Sequence, residues 1–446
     1  MIDKIIRLGK DTAIYGTSTI LGRLLNFLLV PFYTNVLLPS EYGITAYVYS
    51  LIAFLNVVYN YGMESAYFKY SSTLEIGDRK QNFNTPFLSI IISSSFFSAI
   101  ILLLSKPIGG LIALPEDFSR IIIYSAIILF LDAIVIIPFA SLRQTGKAKK
   151  FALIKFLNIL INVSLNIILL VKFKLGVEGI FISGLAASAM TVVILLSDIF
   201  KNFRFNFSAK LFKELLKFGL PSLPAGLAAM MLQVIDRPIL RYLTDDSSVG
   251  IYQANYRLGI FMMLVVSMFD YAWKPFFFSI AKEQNAKDIF ARITTYFLLG
   301  MATVFILITL LIENIVKFQI YGKFIIHPDY WSGLNIVPII LLAYLFNGLS
   351  LTFSAGIYIQ KKTSYLPFIT LIAAIANVVF NFLLIPMLGI IGAAFATLIS
   401  YVVMAVTMYY YSQKFYRIEY EYKKIIIIAA ATSLITAVYY LLKYSL

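Results

Sequence analysis

The chain has 446 residues, of which 60% are hydrophobic and only 13% are charged, and its mean hydropathy is +0.86. Soluble domains carry roughly 25% charged residues, so this composition excludes an ordinary soluble protein and favours a polytopic membrane protein. The formal net charge is +15, and the chain contains no cysteine, which excludes disulfides and thiolate metal sites.

Thirteen apolar segments are predicted to be membrane-spanning helices. A hydrocarbon core of ~30 Å requires about 20 residues at a rise of 1.5 Å per residue. Lipid-exposed backbone must satisfy its own hydrogen bonds, and the ten-residue alternating segments of a β-barrel are missing, so the predicted fold class is an all-α polytopic membrane protein. The predicted spans are 12–36, 43–69, 86–105, 119–141, 151–171, 177–199, 219–241, 249–273, 293–316, 334–357, 364–386, 390–411 and 425–442.

Lysine and arginine are distributed unevenly between the predicted loops. With a cytoplasmic N-terminus, 24 of them lie in cytoplasmic segments and 8 lie on the opposite side. Because cytoplasmic loops carry the excess of basic residues, we expect the N-terminus to be cytoplasmic and Leu446 to be outside. Most of the positive charge then faces anionic lipid headgroups. Membrane lipids, and not nucleic acid, are therefore the expected partners of the basic residues.

An internal repeat divides the chain into two similar halves. Spans 1–6 and 7–12 are interpreted as two copies, and because six is even, both copies enter the membrane from the same side. This predicts two six-helix lobes related by a parallel pseudo-two-fold axis along the membrane normal, plus a thirteenth helix. The matching segments are Gly43 with Gly250, Asn162–Asn166 (NVSLN) with Asn377–Asn381 (NVVFN), and Leu175–Gly179 (LGVEG) with Leu388–Gly392 (LGIIG).

The repeat also sets the predicted domain boundaries. The N-terminal lobe is 1–200, the connecting segment is 201–218, the C-terminal lobe is 219–411, and 412–446 holds a cytoplasmic loop with the extra helix. The connecting segment is either an amphipathic helix at the membrane interface or a plain linker with a helical end. The apolar residues that suggest the helix are Leu211, Leu215, Leu216 and Phe218.

Three arginines within the apolar segments are the candidate substrate-binding residues. Arg23 is central in span 1, Arg237 is near the outer end of span 7, and Arg257 is about eight residues into span 8. Such residues usually face a wet cavity or form an ion pair, and arginine donates paired hydrogen bonds to phosphate oxygens. The alternatives are an ion pair of Arg23 with Asp132, and an ion pair with Asp236 or snorkelling for Arg237.

Three aspartates are candidates for ion coupling. Asp132, Asp236 and Asp270 are placed where they could bind a proton or Na⁺, but ion-pair roles explain them equally well. No other cofactor and no metal site is predicted. Lys155 lies near an inner span end, where snorkelling is the expected role, and Glu64 lies close to the cytoplasmic boundary, where a structural role is expected.

Asparagines are frequent in the predicted spans. Asn26, Asn56 and Asn60 are candidates for contacting sugar hydroxyls. A further set recurs every four residues on one face of span 5 and is partly repeated in span 11. For that set we favour interhelical hydrogen bonds, worth ~0.6 kcal/mol each, because the same motif occurs in both halves. Its members are Asn158, Asn162, Asn166, Asn377 and Asn381.

Enzymatic chemistry finds little support in the sequence. The only histidine is His327, in a predicted outer loop, and no H-E-x-x-H, P-loop or G-x-S-x-G motif is present. No catalytic residue is therefore predicted. A membrane-embedded glycan polymerase or ligase would need a large outer loop with catalytic charges. The largest predicted outer loop, 317–333, has only about 17 residues.

Three sequence features together carry a resemblance to a known family. They are GRLLNFLLVPFYTNVLLPSEYGITAY, IDRPILRYLTDDSSVGIYQANYRL and the repeated N-x-x-x-N…LG-x-x-G pattern. The chain resembles bacterial polysaccharide and O-antigen repeat-unit flippases, which are Wzx-like proteins of the MOP superfamily. Arg23 and Arg257 match positions where similar proteins often carry cavity cations.

The resemblance implies a function and a location. It implies a secondary transporter of the bacterial inner membrane that moves undecaprenyl-diphosphate-linked oligosaccharides to the outer leaflet by alternating access. A polysaccharide polymerase is then a candidate partner. The alternatives in the same superfamily are a MATE-type multidrug exporter, which would favour acidic cavity residues, and a lipid II flippase, which usually has two additional helices.

Overall fold

The computed structural model describes residues 20, 22, 24, 25 and 27–445. Within this part of the chain, twelve helices are long and apolar enough to cross a membrane. They correspond to the second to thirteenth predicted spans, while 11 of the 25 residues of the first predicted span lie outside the described residues. The predicted all-α fold class is confirmed.

The elements follow one another with short connections. A two-stranded antiparallel hairpin, β1 (Gln319–Ile320) and β2 (Lys323–Phe324), lies in the longest predicted outer loop. In chain order the helices are α1 (27–34), α2 (Pro39–Asn60), α3 (Met63–Thr73), α4 (Arg79–Leu103), α5 (Ser105–Leu111), α6 (Arg120–Ile134), α7 (Ile136–Gln144), α8 (Ala148–Ile167), α9 (Gly176–Asn202), α10 (Ala209–Gly219), α11 (Leu223–Val234), α12 (Asp236–Leu243), α13 (Asp246–Arg257), α14 (Ile260–Ile280), α15 (Ala286–Lys317), α16 (Val337–Ile359), α17 (Tyr365–Leu388), α18 (Ile390–Phe415) and α19 (Tyr422–Ser445).

Two prolines coincide with interruptions of the predicted spans. Proline lacks the N–H that would bond to the carbonyl four residues earlier, and its ring clashes there. Four residues before Pro138 is Ile134, where α6 ends, and four residues before Pro238 is Val234, where α11 ends. Each interruption therefore coincides with the hydrogen bond that the proline removes.

Predicted span 8 needs a correction. The sequence indicates one helix over 249–273, but the structure has two helices, α13 and α14, that meet at Leu258–Gly259. The helix long enough to span a membrane begins at Ile260, and Arg257 is the last residue of α13, just before the junction. Gly259 packs tightly there, since a Cβ at this position would lie 2.8 Å from Ile340 Cγ2. The continuous apolar pattern concealed this tertiary contact.

The chain forms two compact units. The N-terminal unit contains residues 44–230 with the described residues up to Leu37, and the C-terminal unit contains Leu38–Gly43 and 231–445. The division falls within α11, whereas the sequence places it at the connecting segment 201–218. The first turn of α2 therefore packs with the C-terminal unit, while the rest of α2 belongs to the N-terminal one.

Each unit has its own apolar core. In the N-terminal unit the fully buried Phe181, Leu195 and Ile137 belong to one large cluster of aliphatic and aromatic side chains. In the C-terminal unit Trp273 stacks on Phe269 with ring centroids 5.3 Å apart and packs against neighbouring aromatic rings. Because lipid tails are as apolar as these side chains, van der Waals packing within each core is the stabilising contribution expected for helices in a membrane.

Two glycines that the repeat pairs in sequence lie in contact within the C-terminal unit. A Cβ on Gly43 would overlap the Asp246 carbonyl oxygen and lie 3.0 Å from the Gly250 nitrogen. A Cβ on Gly250 would likewise overlap the Pro39 carbonyl oxygen and lie 2.9 Å from the Gly43 nitrogen. The start of α2 and the start of α13 thus cross backbone against backbone, which requires glycine on both sides.

The connecting segment contains an amphipathic helix, one of the two predicted alternatives. In α10, Leu211 and Leu215 are fully buried, while Phe218 is exposed. The α10 helix packs against α3, and Gly219 at its end lies against Gly62, at the break between α2 and α3. The break requires a residue in the left-handed backbone conformation, and Gly62 adopts it with a φ of 76°.

The thirteenth predicted span is a helix, α19, and it is apolar enough to cross a membrane. No residue in the most apolar stretch of α19 is buried by the rest of the chain, as expected of a helix that faces lipid. It is held to α15 by an ion pair between the Lys443 ammonium and the Glu313 carboxylate.

Candidate functional site

A polar cavity lies among the spans of the N-terminal unit. Its volume is about 540 Å³, within the range of roughly 300–1,000 Å³ that small-molecule sites occupy. It is enclosed by α2, α3 and α6–α9. Its walls carry amides, hydroxyls and four ionisable side chains, a composition unusual for a membrane interior. This cavity is the candidate functional site.

Helical periodicity explains how the polar residues converge. Asn56, Asn60 and Glu64 follow one another at intervals of four, so they extend down one face of α2 and into α3. The Asn60 side-chain oxygen accepts the Glu64 backbone N–H at 3.2 Å, which continues this face across the helix break. On α8, Lys155 and Asn158 lie on the face that meets them.

Two carboxylates and two cations line the cavity. Arg143 of α7 forms an ion pair with Glu64 and lies 4.9 Å above the Phe68 ring. Asp132 of α6 accepts a hydrogen bond of 2.7 Å from Ser188 Oγ. Lys155 lies 4.5 Å from the Phe139 ring centroid. The formal charges of these four groups cancel, so the cavity is polar without an excess of either sign.

The amides differ in how far their hydrogen bonds are satisfied. Asn158 donates to Thr191 Oγ1 at 2.9 Å and so joins α8 to α9. The Asn56 side chain also lines the cavity, but within the described part of the chain it makes no hydrogen bond. Its amide is therefore available to a ligand. The structure brings Asn56, Asn60 and Asp132 of the predicted set to one cavity, while Asn26 lies outside the described residues.

The repeated asparagine pairs share two hydrogen bonds in both units. Asn166 Nδ2 donates to the Asn162 backbone oxygen at 2.8 Å and to its side-chain oxygen at 3.1 Å. Asn381 Nδ2 donates to the same two atoms of Asn377, both at 2.8 Å. Asn377 in turn bonds Ser400 across the α17–α18 contact. Interhelical hydrogen bonding, the favoured interpretation, is confirmed for Asn158, for Asn377 and for Asn166, whose Oδ1 accepts a hydrogen bond of 2.9 Å from Tyr33 Oη of α1.

Asp236 and Arg237 form a buried network in the C-terminal unit. Their side chains pair at 2.6 Å, and both residues are about 95% buried. Arg237 Nε donates to Gln253 Oε1 at 3.1 Å, and Tyr252 Oη donates to Asp236 Oδ2 at 2.5 Å. The Tyr256 ring lies 4.2 Å from the guanidinium. For Arg237 this geometry favours the ion pair with Asp236 over substrate binding, because the guanidinium is enclosed and already bonded.

Arg257 has different surroundings. It ends α13 and is exposed. Within the described part of the chain its guanidinium forms no ion pair and no hydrogen bond. It is thus free to meet a ligand. Arg23, the other central arginine candidate, lies outside the described residues.

The third aspartate candidate has a local partner. Asp270 Oδ2 accepts a hydrogen bond of 3.1 Å from Lys274 Nζ, one helical turn further along α14. Its Oδ1 is buried without a hydrogen bond. Among the described residues, no group of three or more His, Cys, Asp or Glu side chains could hold a metal ion.

The sequence missed three residues of the cavity. Arg143, Lys155 and Glu64 all line it, although snorkelling was the expected role of Lys155 and a structural role was expected for Glu64. Both were judged by their distance from a span end alone, and Arg143 was counted only among the basic residues of the cytoplasmic segments. The four-residue spacing of Asn56, Asn60 and Glu64 was the signal that could have placed Glu64 on the cavity face.

Comparison with known proteins identifies the fold and the family. The lipid II flippase MurJ in an inward closed conformation superimposes with a TM-score of 0.76 at 18% identity, covering 97% of this chain and 92% of that chain. An inward-facing multidrug resistance MATE family transporter of the MOP superfamily gives a TM-score of 0.67 at 15% identity, covering 88% and 94%. These likenesses confirm the predicted two-lobe MOP-type fold.

Sequence matches agree with the fold. An uncharacterized membrane protein of Methanocaldococcus jannaschii is 25% identical over 234 residues, which are 50% of this chain and 43% of that protein. The chain thus spans less than half the length of that curated relative. Residues 8–281 match the family described as polysaccharide biosynthesis protein, which confirms the predicted resemblance. The chain is a multi-pass membrane protein and belongs to the polysaccharide biosynthesis protein family.

Proposed function

We propose that this transporter flips undecaprenyl-diphosphate-linked oligosaccharides from the cytoplasmic to the outer leaflet by alternating access, without enzymatic chemistry. The polar cavity of the N-terminal unit is the observation that carries the proposal. Family membership adds the link to polysaccharides, and the fold is shared with a protein described as a lipid II flippase. We place the protein in the bacterial cytoplasmic membrane with a cytoplasmic N-terminus.

The cavity suits the oligosaccharide. Sugar hydroxyls both donate and accept hydrogen bonds, as do side-chain amides. Asn56 offers its amide, and Asn60 offers its remaining hydrogen-bonding capacity. Tyr49 presents a ring stacked on Phe181 at 5.0 Å, a rigid surface on which a sugar face can pack. The balanced charges give no excess of carboxylates, which an exporter of organic cations would favour.

Arg257 suits the diphosphate. A guanidinium is always charged and can donate two parallel hydrogen bonds to phosphate oxygens. Its exposure and its lack of a described partner make it the best supported of the three arginines. Arg23 stays a prediction, and Arg237 is the least supported because Asp236 already neutralises it.

Asp132 is our candidate for ion coupling. Its carboxylate lines the cavity and accepts from Ser188, while Lys155 lines the same space without a direct salt bridge to it among the described residues. Binding of a proton or Na⁺ would change the charge balance at the place where sugars are proposed to bind. Asp132→Asn is therefore expected to abolish dependence of transport on an imposed ion gradient.

Proteoliposomes provide the test. A fluorescent undecaprenyl-diphosphate oligosaccharide is reconstituted with the full chain, and its leaflet distribution is followed with a membrane-impermeant quencher. We expect Arg257→Ala to slow flipping at least tenfold and Asn56→Ala to slow it severalfold. The matched control is Arg120→Ala, because the Arg120 side chain is 74% exposed and only loosely paired.

The alternatives give distinct results. Equal flipping by wild type and by an Arg23→Ala, Arg257→Ala double variant would overturn the cationic site. Export of organic cations without movement of the lipid-linked glycan would indicate a MATE-type exporter. Flipping restricted to lipid II among a panel of glycans would assign the other flippase function. A polysaccharide polymerase remains our proposed partner.

A further inference from the structure

An apolar groove separate from the polar cavity lies on the N-terminal unit. It has a volume of about 600 Å³ and is bounded by α2, α4 and the α10–α11 segment. On α4, Ile92, Ser93 and Phe96 succeed one another at helical spacing and form one wall. Ile92 and Phe96 are 66% and 62% exposed, so the groove is open along its side to the surrounding lipid.

The few polar side chains of the groove already make hydrogen bonds within the protein. Tyr61 Oη and Ser89 Oγ are 2.6 Å apart, and Ser93 Oγ donates to the Ile90 backbone oxygen at 3.2 Å. The remaining walls consist of aliphatic and aromatic side chains. A bound water needs two to four polar partners, which this groove does not offer. Its chemistry therefore fits a hydrocarbon chain.

Positive charge lies on α10, the helix that contributes Phe212 to the groove. Phe212 of α10 lines the groove, and the next residue, Lys213, is exposed. Lys210 and Lys217 are also exposed, and the spacing of three and four residues puts all three lysines on one face of α10. One acidic residue, Glu214, is half-buried in the same helix. A lysine row at a membrane surface attracts anionic headgroups.

We propose that this groove and the lysine face of α10 together bind an anionic glycerophospholipid. Its acyl chain lies in the groove between α2, α4 and α10, and its phosphate lies on Lys210, Lys213 and Lys217. Charge complementarity selects the anionic lipid over a zwitterionic one, because the apolar groove alone accepts either chain. The bound lipid would fill the space under α10 and tie this helix to the spans.

Photo-cross-linking tests the site directly. The full-length protein is placed in nanodiscs that contain phosphatidylglycerol with a diazirine in one acyl chain, and the labelled peptides are mapped by mass spectrometry. We expect labelling on the groove face of α4 or in 207–223, at least fivefold above that with equally labelled phosphatidylcholine. The variant K210Q/K213Q/K217Q should lose at least fivefold of this labelling. The control K147Q/K149Q/K282Q removes the same charge from exposed lysines and should keep it.

A groove-filling variant separates the chain from the headgroup. Ile92→Trp changes a largely exposed residue, so it should fold normally and reduce groove labelling at least threefold. Equal labelling by the two lipids, or an equal loss in both lysine variants, would overturn the proposed selectivity. Unchanged labelling in Ile92→Trp would place the acyl chain elsewhere. Competition by undecaprenyl phosphate but not by unlabelled phosphatidylglycerol would assign the groove to the substrate's tail and refute the proposal.

Discussion

The glycine crossing between α2 and α13 predicts a large effect from adding a single methyl group. In Gly43→Ala the new Cβ would overlap the Asp246 carbonyl oxygen and lie 2.7 Å from its carbon. Relaxed carbon–carbon contacts lie at ~3.5–4.0 Å, and the overlap with the oxygen is larger still, so the two backbones must separate by more than about 1 Å. Backbone atoms in packed helices cannot give way as a flexible side chain can.

The expected cost follows from two opposing contributions. Overpacking costs typically ~1–3 kcal/mol, while alanine in place of glycine in an open helix position gains ~1 kcal/mol. Gly300 of α15 is the matched control, because it is exposed and a Cβ there would meet nothing within 4 Å. Gly43→Ala should therefore be less stable than Gly300→Ala by ~2–4 kcal/mol.

Thermal unfolding in detergent measures this difference. At ~2–4 °C per kcal/mol for a unit of this size, Gly43→Ala should melt about 5–15 °C below Gly300→Ala. Gly250→Ala should behave alike, and the double variant should lose less than the two losses combined, because both substitutions open one contact. Equal melting of Gly43→Ala and Gly300→Ala, or strict additivity, would refute the close crossing.

Two further predictions concern the repeat and the last helix. Asn381→Ala removes two hydrogen bonds to Asn377, so at an average of ~0.6 kcal/mol each it should cost about 1 kcal/mol. Asn166→Ala also removes the hydrogen bond that Tyr33 Oη donates to Asn166 Oδ1, so it should cost ~0.6 kcal/mol more, and a smaller loss than for Asn381→Ala in denaturant titrations would contradict these contacts. Glu313→Gln weakens the ion pair with Lys443, which contributes ~0.2–1 kcal/mol to stability. The Tm should therefore fall by only a few degrees, and by less at high salt. A large fall in Tm that does not depend on salt would show that other contacts hold α19 to α15.

Periodicity and repetition in the sequence predicted the helices and their equivalence. The apolar lengths anticipated α19, and the offset between the two halves paired Gly43 with Gly250 before any contact between them was known. What the repeat could not show is that these two glycines touch. A sequence repeat shows that two positions correspond to each other, whereas their contact depends on how the helices pack.

Residues that act through distant partners could not be predicted in the same way. Glu64 meets Arg143 across 79 positions of sequence, and neither residue signals the other. The break at Gly259 was hidden because the apolar pattern continues across it, and the close approach of Ile340 involves another helix. Local patterns thus predict which faces are apolar or polar, but the pairing of charges within the membrane requires the packed structure.

Asp236 and Arg237 show how the two interpretations of a membrane arginine can be separated. Removing one partner of a buried ion pair leaves the other charge uncompensated, at ~3–5 kcal/mol. Arg237→Ala should therefore lower Tm strongly, whereas Arg257→Ala should change stability by only ~0.5 kcal/mol or less, since Arg257 is exposed and has no described partner. The double variant Asp236→Asn, Arg237→Met should recover much of the loss, because it removes both charges and fills the space. If Arg237→Ala instead folds as well as Arg257→Ala and loses transport, the guanidinium binds substrate and the structural interpretation is wrong.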